Sequence, residues 1–154
     1  MVQIDVVYRG DLCCESVHAP SKAQLSTDAP LDNQGRGLSF SPTDLVATAL
    51  GSCMLTTMGI VAKRHGWKLE GARARVIKFM VADPARRIAK LETELVIPGE
   101  FDQRARQALE LAAKQCPVHK TLSASVELPL SILWTGNSAP AASLIPKPSD
   151  PQGA

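Results

Sequence analysis

The sequence holds no Cys-x-x-Cys pair, no Gly-x-Gly-x-x-Gly loop, no Walker loop and no internal repeat. Those gaps leave no motif support for a thioredoxin-type centre, the usual zinc-finger spacing or a nucleotide cradle. Aromatic residues are only 4% of the 154, so a core must be built mostly from Ala, Val, Leu and Ile. An excess of one charge is also lacking: 17 Lys and Arg face 15 Asp and Glu, a formal net charge of +2. That balance argues against nucleic acid or an anionic membrane as a partner. No run approaches the roughly 18 apolar residues of a membrane span. The N-terminal MVQIDVVYRG lacks the basic segment and apolar stretch of a signal peptide. The expected compartment is the cytoplasm, where thiols stay reduced and cysteines more often serve catalysis or metals than structural bridges.

What is present suits one domain with an ordinary hydrophobic content of 45%. Val2, Ile4, Val6 and Tyr8 alternate, predicting a strand over 2–9 with those residues toward the core. A turn at Arg9–Asp11 leads to a second strand over 12–18, and a third is expected over 22–27. Ser41 is a good N-cap, Pro42 fits the first helical position, and Asp44 stands three after the cap. Lys63, Arg64, His65 and then Gly66 read as a helix end, so a helix is predicted over Pro42–His65. Its apolar stripe is read at positions 46, 49, 50, 53, 57, 60 and 61. Two long strands over 67–81 and 89–97 follow, then a helix over 101–114, a short helical piece from Pro117, and a strand over 124–134. Pro129 places that last strand at an edge or a bulge. The Ala, Pro and Ser-rich stretch 136–154 reads as a flexible tail after a domain of residues 1–135. Strands grouped and joined as hairpins favour an antiparallel α+β fold over a βαβ wind.

Four cysteines could carry chemistry: Cys13, Cys14, Cys53 and Cys116. Cys53 lies on the apolar stripe in ALGSCMLTTMG, about three turns from the helix start, too far for the helix dipole to act strongly. On periodicity it reads first as a small core hydrophobe, whose buried thiol would be inert; to be a nucleophile it needs a cation or donor brought from elsewhere. Cys116 immediately precedes a proline that can start a helix; it reads evenly as a thiol whose pKa nearby N–H groups would lower, or as part of a buried loop-to-helix junction. Cys13 and Cys14 are neighbours in a strand and point to opposite faces. A zinc site from Cys116, His119 and Cys53 or His18 is the rival, weakened by the lack of a second close pair.

SPTDLVATALGSCMLTTM (Ser41–Met58), followed 63 residues after Cys53 by CPVHKTL (Cys116–Leu122), resembles the OsmC/Ohr family of osmotically inducible and organic hydroperoxide resistance proteins. The resemblance covers about residues 1–134. It implies an α+β fold of antiparallel sheets around a long central helix, intertwined as a homodimer. It also implies a thiol peroxidase with no cofactor beyond an external dithiol, such as a lipoyl protein or thioredoxin. Organic hydroperoxides would be the substrate, Cys53 the peroxidatic cysteine and Cys116 the resolving one. The family's hydroperoxide reductases hold an arginine from the first strands beside the reactive sulfur, paired with a glutamate near the helix start. Counting back ten from Cys53, that glutamate position is Thr43, with Asp44 the nearest carboxylate; Arg9 and Arg36 are the candidate arginines. A small apolar ligand-binding or redox-sensing dimer on the same scaffold is the alternative.

Overall fold

A computed structural model describes residues 1–136; all but the first residue of the expected tail lies outside them. Strands β1 (Ile4–Gly10), β2 (Cys13–His18) and β3 (Gln24–Thr27) form an antiparallel sheet in the order β1-β2-β3. Its first turn is tight: Asp11 and Leu12 both take left-handed conformations, φ 49° and 62°. The strand expected at the N-terminus is present, but its apolar residues do not face a core within the chain. Ile4, Val6 and Tyr8 are each about 60% exposed (61%, 61% and 62%).

Helix α1 spans Pro42–His65, with the predicted ends. Ser41 Oγ accepts from Asp44 N while Asp44 Oδ2 accepts from Ser41 N, closing a capping box. Gly66, at φ 70°, ends the helix, and Trp67 N donates back to Ala62 O. The buried line of α1 runs through Ala47, Leu50, Gly51, Met54, Met58 and Ala62. It is rotated by about one residue from the predicted stripe, which meets it only at Leu50. The helix is apolar around most of its girth, so periodicity alone fixed its inward side poorly. That same composition corrects the membrane expectation: an 18-residue window of α1 reaches a mean hydropathy of 1.8, enough by length and composition to cross a bilayer. A core helix meets the same test, and α1 buries Leu50, Met54, Met58 and Ala62 within the fold.

The second sheet has the order β4-β5-β6, from β4 (Arg73–Val81), β5 (Arg87–Pro98) and β6 (Leu130–Gly136). Residues 67–72 are irregular, with a turn at 70–71, rather than extending β4. Gly51 lets α1 lie close to β4: a Cβ there would stand 3.1 Å from Val76 Cγ2 and 3.3 Å from Ala74 Cβ. Between β5 and β6 run α2 (Gln103–Lys114) and the short α3 (Pro117–Leu122). β5 and β6 pair in parallel, so the sheet is mixed rather than wholly antiparallel. The helical crossover is the reason, since a parallel neighbour needs a connection of a dozen residues or more. β6 is an edge strand, and Pro129 sits just before it, its carbonyl accepting from Thr93 N. The core gathers Leu50, Met54, Met58, Leu91, Leu95, Ile97, Leu109 and Cys116 between helices and second sheet.

Candidate active site

Two elements distant in sequence deliver the two sulfurs. α1 carries Cys53, half-buried against the core, and the α2–α3 junction carries Cys116, fully buried. Cys53 packs against the cluster that holds Cys116, close enough to influence its ionisation, and both are free thiols. Cys116 is the N-cap of α3, and its Sγ accepts from His119 N at 3.3 Å. Burial pushes the Cys116 thiol up, the His119 N–H opposes it, and neighbouring Cys53 adds to the rise. The net direction is upward, which corrects the expectation that the helix start would lower it. The N–H groups of His119 and Val118 on a short helix do not outweigh the loss of water around a fully buried sulfur.

The two candidate arginines are engaged on the first sheet and the loop after it. Arg9 Nε pairs with Glu15 Oε2 at 2.7 Å. Arg36 Nη2 donates to Cys13 Sγ at 3.3 Å, and its Nη1 stands 4.0 Å from Asp11 Oδ2. The Cys13 thiol in turn lies 3.5 Å from Asp28 Oδ1. Asp28 is buried, and the Leu38 N–H donated to its carboxylate holds that group below the usual range despite burial.

Thr43 and Asp44 are brought together by a lysine that the sequence reading did not single out. Lys78 Nζ lies 2.5 Å from Asp44 Oδ1, 2.7 Å from Thr43 Oγ1 and 3.4 Å from Ser41 Oγ. Burial pushes Asp44 up, but the bonds from Lys78 and Ser41 outweigh it and leave the carboxyl lowered. The start of α1 therefore carries a lysine–aspartate pair. The signal was present: in β4 the alternate positions Ala74, Val76, Lys78 and Met80 are partly buried, and a lysine in that row needs a partner. Among the described residues, no three His, Cys, Asp or Glu side chains gather where a metal ion could sit.

A family model described as OsmC-like protein matches residues 35–131. The chain belongs to the OsmC-like family. It is similar over 86% of its length, at 39% identity and a TM-score of 0.80, to the proposed osmotic stress induced and detoxification response protein of Psychrobacter arcticus 273-4, of which it covers 96%. The OsmC-like protein of Mycoplasma pneumoniae has a TM-score of 0.75 at 15% identity, covering 88% of this chain and 97% of that one. An organic hydroperoxide resistance protein of Legionella pneumophila has a TM-score of 0.68 at 17% identity, covering 86% and 96%. These two likenesses bear on the fold. No curated protein matches the chain.

In this OsmC-like chain the buried Cys116 gives stability a pH dependence. Its folded pKa is raised, so the unfolded thiol ionises first as pH rises. The stabilisation is whole below the unfolded value of about 8.5 and is lost as pH climbs through the folded one. Denaturant titrations of the reduced protein at pH 7 and pH 10 should show lower stability at pH 10. Cys116→Ala should remove that part of the loss; an undiminished loss in the variant would contradict it.

Proposed function

We propose that the protein is a homodimeric thiol peroxidase that reduces organic hydroperoxides. The observation that carries the reading is the meeting of Cys53 and Cys116 from distant segments, in apolar surroundings. The Cys53 thiolate attacks the distal oxygen of ROOH, forming a sulfenic acid and releasing ROH. The Cys116 thiolate attacks the sulfenic sulfur, forming the Cys53–Cys116 disulfide and expelling water. An external dithiol, such as a lipoyl protein or thioredoxin, restores both thiols by exchange. The apolar surroundings favour organic peroxides over hydrogen peroxide and shield the sulfenate. The cation that activates Cys53 is Arg36 or Arg9. The cytoplasm, which keeps such thiols reduced, is the proposed compartment.

Dimerisation is supported by apolar surface that one chain leaves uncovered. Ile4, Val6 and Tyr8 of β1, Leu38 and Phe40 of the loop before α1, and Ile60 of α1 are all exposed. Only a third of the apolar α1 window is buried. A second copy would cover these surfaces and carry its own Arg9 and Arg36 toward the sulfurs.

A redox-sensing or ligand-binding dimer with little turnover is the second reading. Thr43 at the glutamate position and the engagement of Arg36 on Cys13 favour it. So does an open groove of about 1230 Å³ along α1, lined by Leu38, Phe40, Ala47, Leu55 and Val76 among others. Steady-state consumption of cumene hydroperoxide with a lipoyl or thioredoxin reductant separates the two. Sustained turnover excludes the second reading; a folded, reduced protein whose Cys53 and Cys116 stay unoxidised and unlinked excludes the first.

A further inference from the structure

We propose that Thr57 is the positioning residue that keeps Cys53 and Cys116 beside each other, by tying α1 to the end of α2. Thr57 stands one turn after Cys53, and its Oγ1 lies 3.0 Å from the carbonyl oxygen of Ala112. Ala112 in turn stands four residues before Cys116. The bridge is thus one helical turn from each sulfur.

The Ala112 carbonyl is free to accept because of how α2 ends. In a continuing helix the N–H of Cys116 would donate to it. Instead Cys116 N donates to Ala113 O at 3.3 Å, and Gln115 N donates to Leu111 O at 2.9 Å. The tightened last turn leaves Ala112 O as one of the carbonyls a helix end must satisfy from outside. Thr57 Oγ1 also lies 3.0 Å from Cys53 O and 2.9 Å from Met54 O. Those two carbonyls already receive N–H groups of α1, and the hydroxyl has one proton to give. Ala112 O is the acceptor whose need it alone meets. Losing the hydroxyl leaves a part-buried carbonyl without its partner and loosens the spacing of the helices that present the two sulfurs.

This inference rests on the disulfide step of the proposed reaction, and its test does not use peroxide. The reduced protein is equilibrated with oxidised and reduced dithiothreitol. Two protons and two electrons pass from Cys53 and Cys116 to the reagent disulfide, and the protein disulfide forms. The fraction closed is read by mass spectrometry, with the fold checked by circular dichroism. Thr57→Val, close in shape but without the hydroxyl, should lower the closure constant about tenfold, or about 30 mV in potential. Thr57→Ser should restore it. Thr121→Val is the control. It removes a hydroxyl bond within α3, to Pro117 O at 2.9 Å, and should leave closure unchanged. A Thr57→Val protein that closes like the wild type overturns the proposal, as does a wild type that forms no disulfide in this buffer. Normal closure without peroxide consumption would instead sink the peroxidase reading and leave the bridge standing.

Discussion

Cys53→Ser should reduce peroxide consumption at least about a thousandfold, because a serine hydroxyl beside no base is a far weaker nucleophile than a thiolate. Cys116→Ser should fail differently. The Cys53 thiol still reacts once, so one equivalent of peroxide is consumed and a sulfenic acid accumulates. With no resolving thiol, excess peroxide then carries Cys53 to the sulfinic acid, which common reductants do not reverse. Stopped-flow peroxide loss and intact-protein mass spectrometry check both arms. The double variant should be no worse than Cys53→Ser, since residues that act as one unit do not add. A Cys116→Ser protein that turns over at the wild-type rate with a dithiol would remove Cys116 from the cycle. A Cys53→Ser protein that still consumes peroxide would remove the reading altogether.

Why the two cysteine-bearing segments were legible in the sequence, and the Lys78–Asp44 pair was not, is a matter of locality. The helix of Cys53 is written in adjacent residues: Ser41, Pro42 and Asp44 at one end, Lys63 to Gly66 at the other. CPVHKTL announces a junction and a short helix in the same way. The resemblance then linked two segments whose meeting no local rule encodes. Lys78 was missed because its role is set by a strand packing across the start of α1. The upward direction at Cys116 was missed because burial depends on what surrounds the sulfur, whereas the N–H groups of a helix start are visible in CPV.

The fold divides along the same line. Hairpins and helix ends were legible, while the parallel pairing of β5 with β6 depended on which side α2 and α3 carry the chain. The inward alternation of β1 identified a strand but not what covers it, since alternation marks a face and does not name its partner. The one-residue rotation of α1 has a related cause: it is apolar around most of its girth, while only a third of its apolar window is buried in the single chain.

Leu50→Ala should cost the reduced protein about 2–5 kcal/mol. Leu50 is fully buried on α1 among Met54, Leu91, Leu95 and Leu109. The core has no fully buried aromatic ring among its largest side chains, so small aliphatic side chains must fill it by interlocking. A lost isobutyl group therefore leaves a cavity that neighbours on three rigid elements close only in part. With a typical total of 5–15 kcal/mol, the melting temperature should drop by about 5–15 °C. Leu109→Ala, in the same cluster, should cost a similar amount, and the pair should not add, because both empty one shared space. Ile60→Ala provides the contrast. Ile60 is 48% exposed in the single chain, so an isolated subunit should lose little by its truncation. If a second copy covers α1, the same change should cost about 1–3 kcal/mol in a melting temperature that rises with protein concentration. Urea titrations of the three variants at two protein concentrations decide the matter. A concentration-independent midpoint with a silent Ile60→Ala would place α1's outer face in solvent and overturn the dimer.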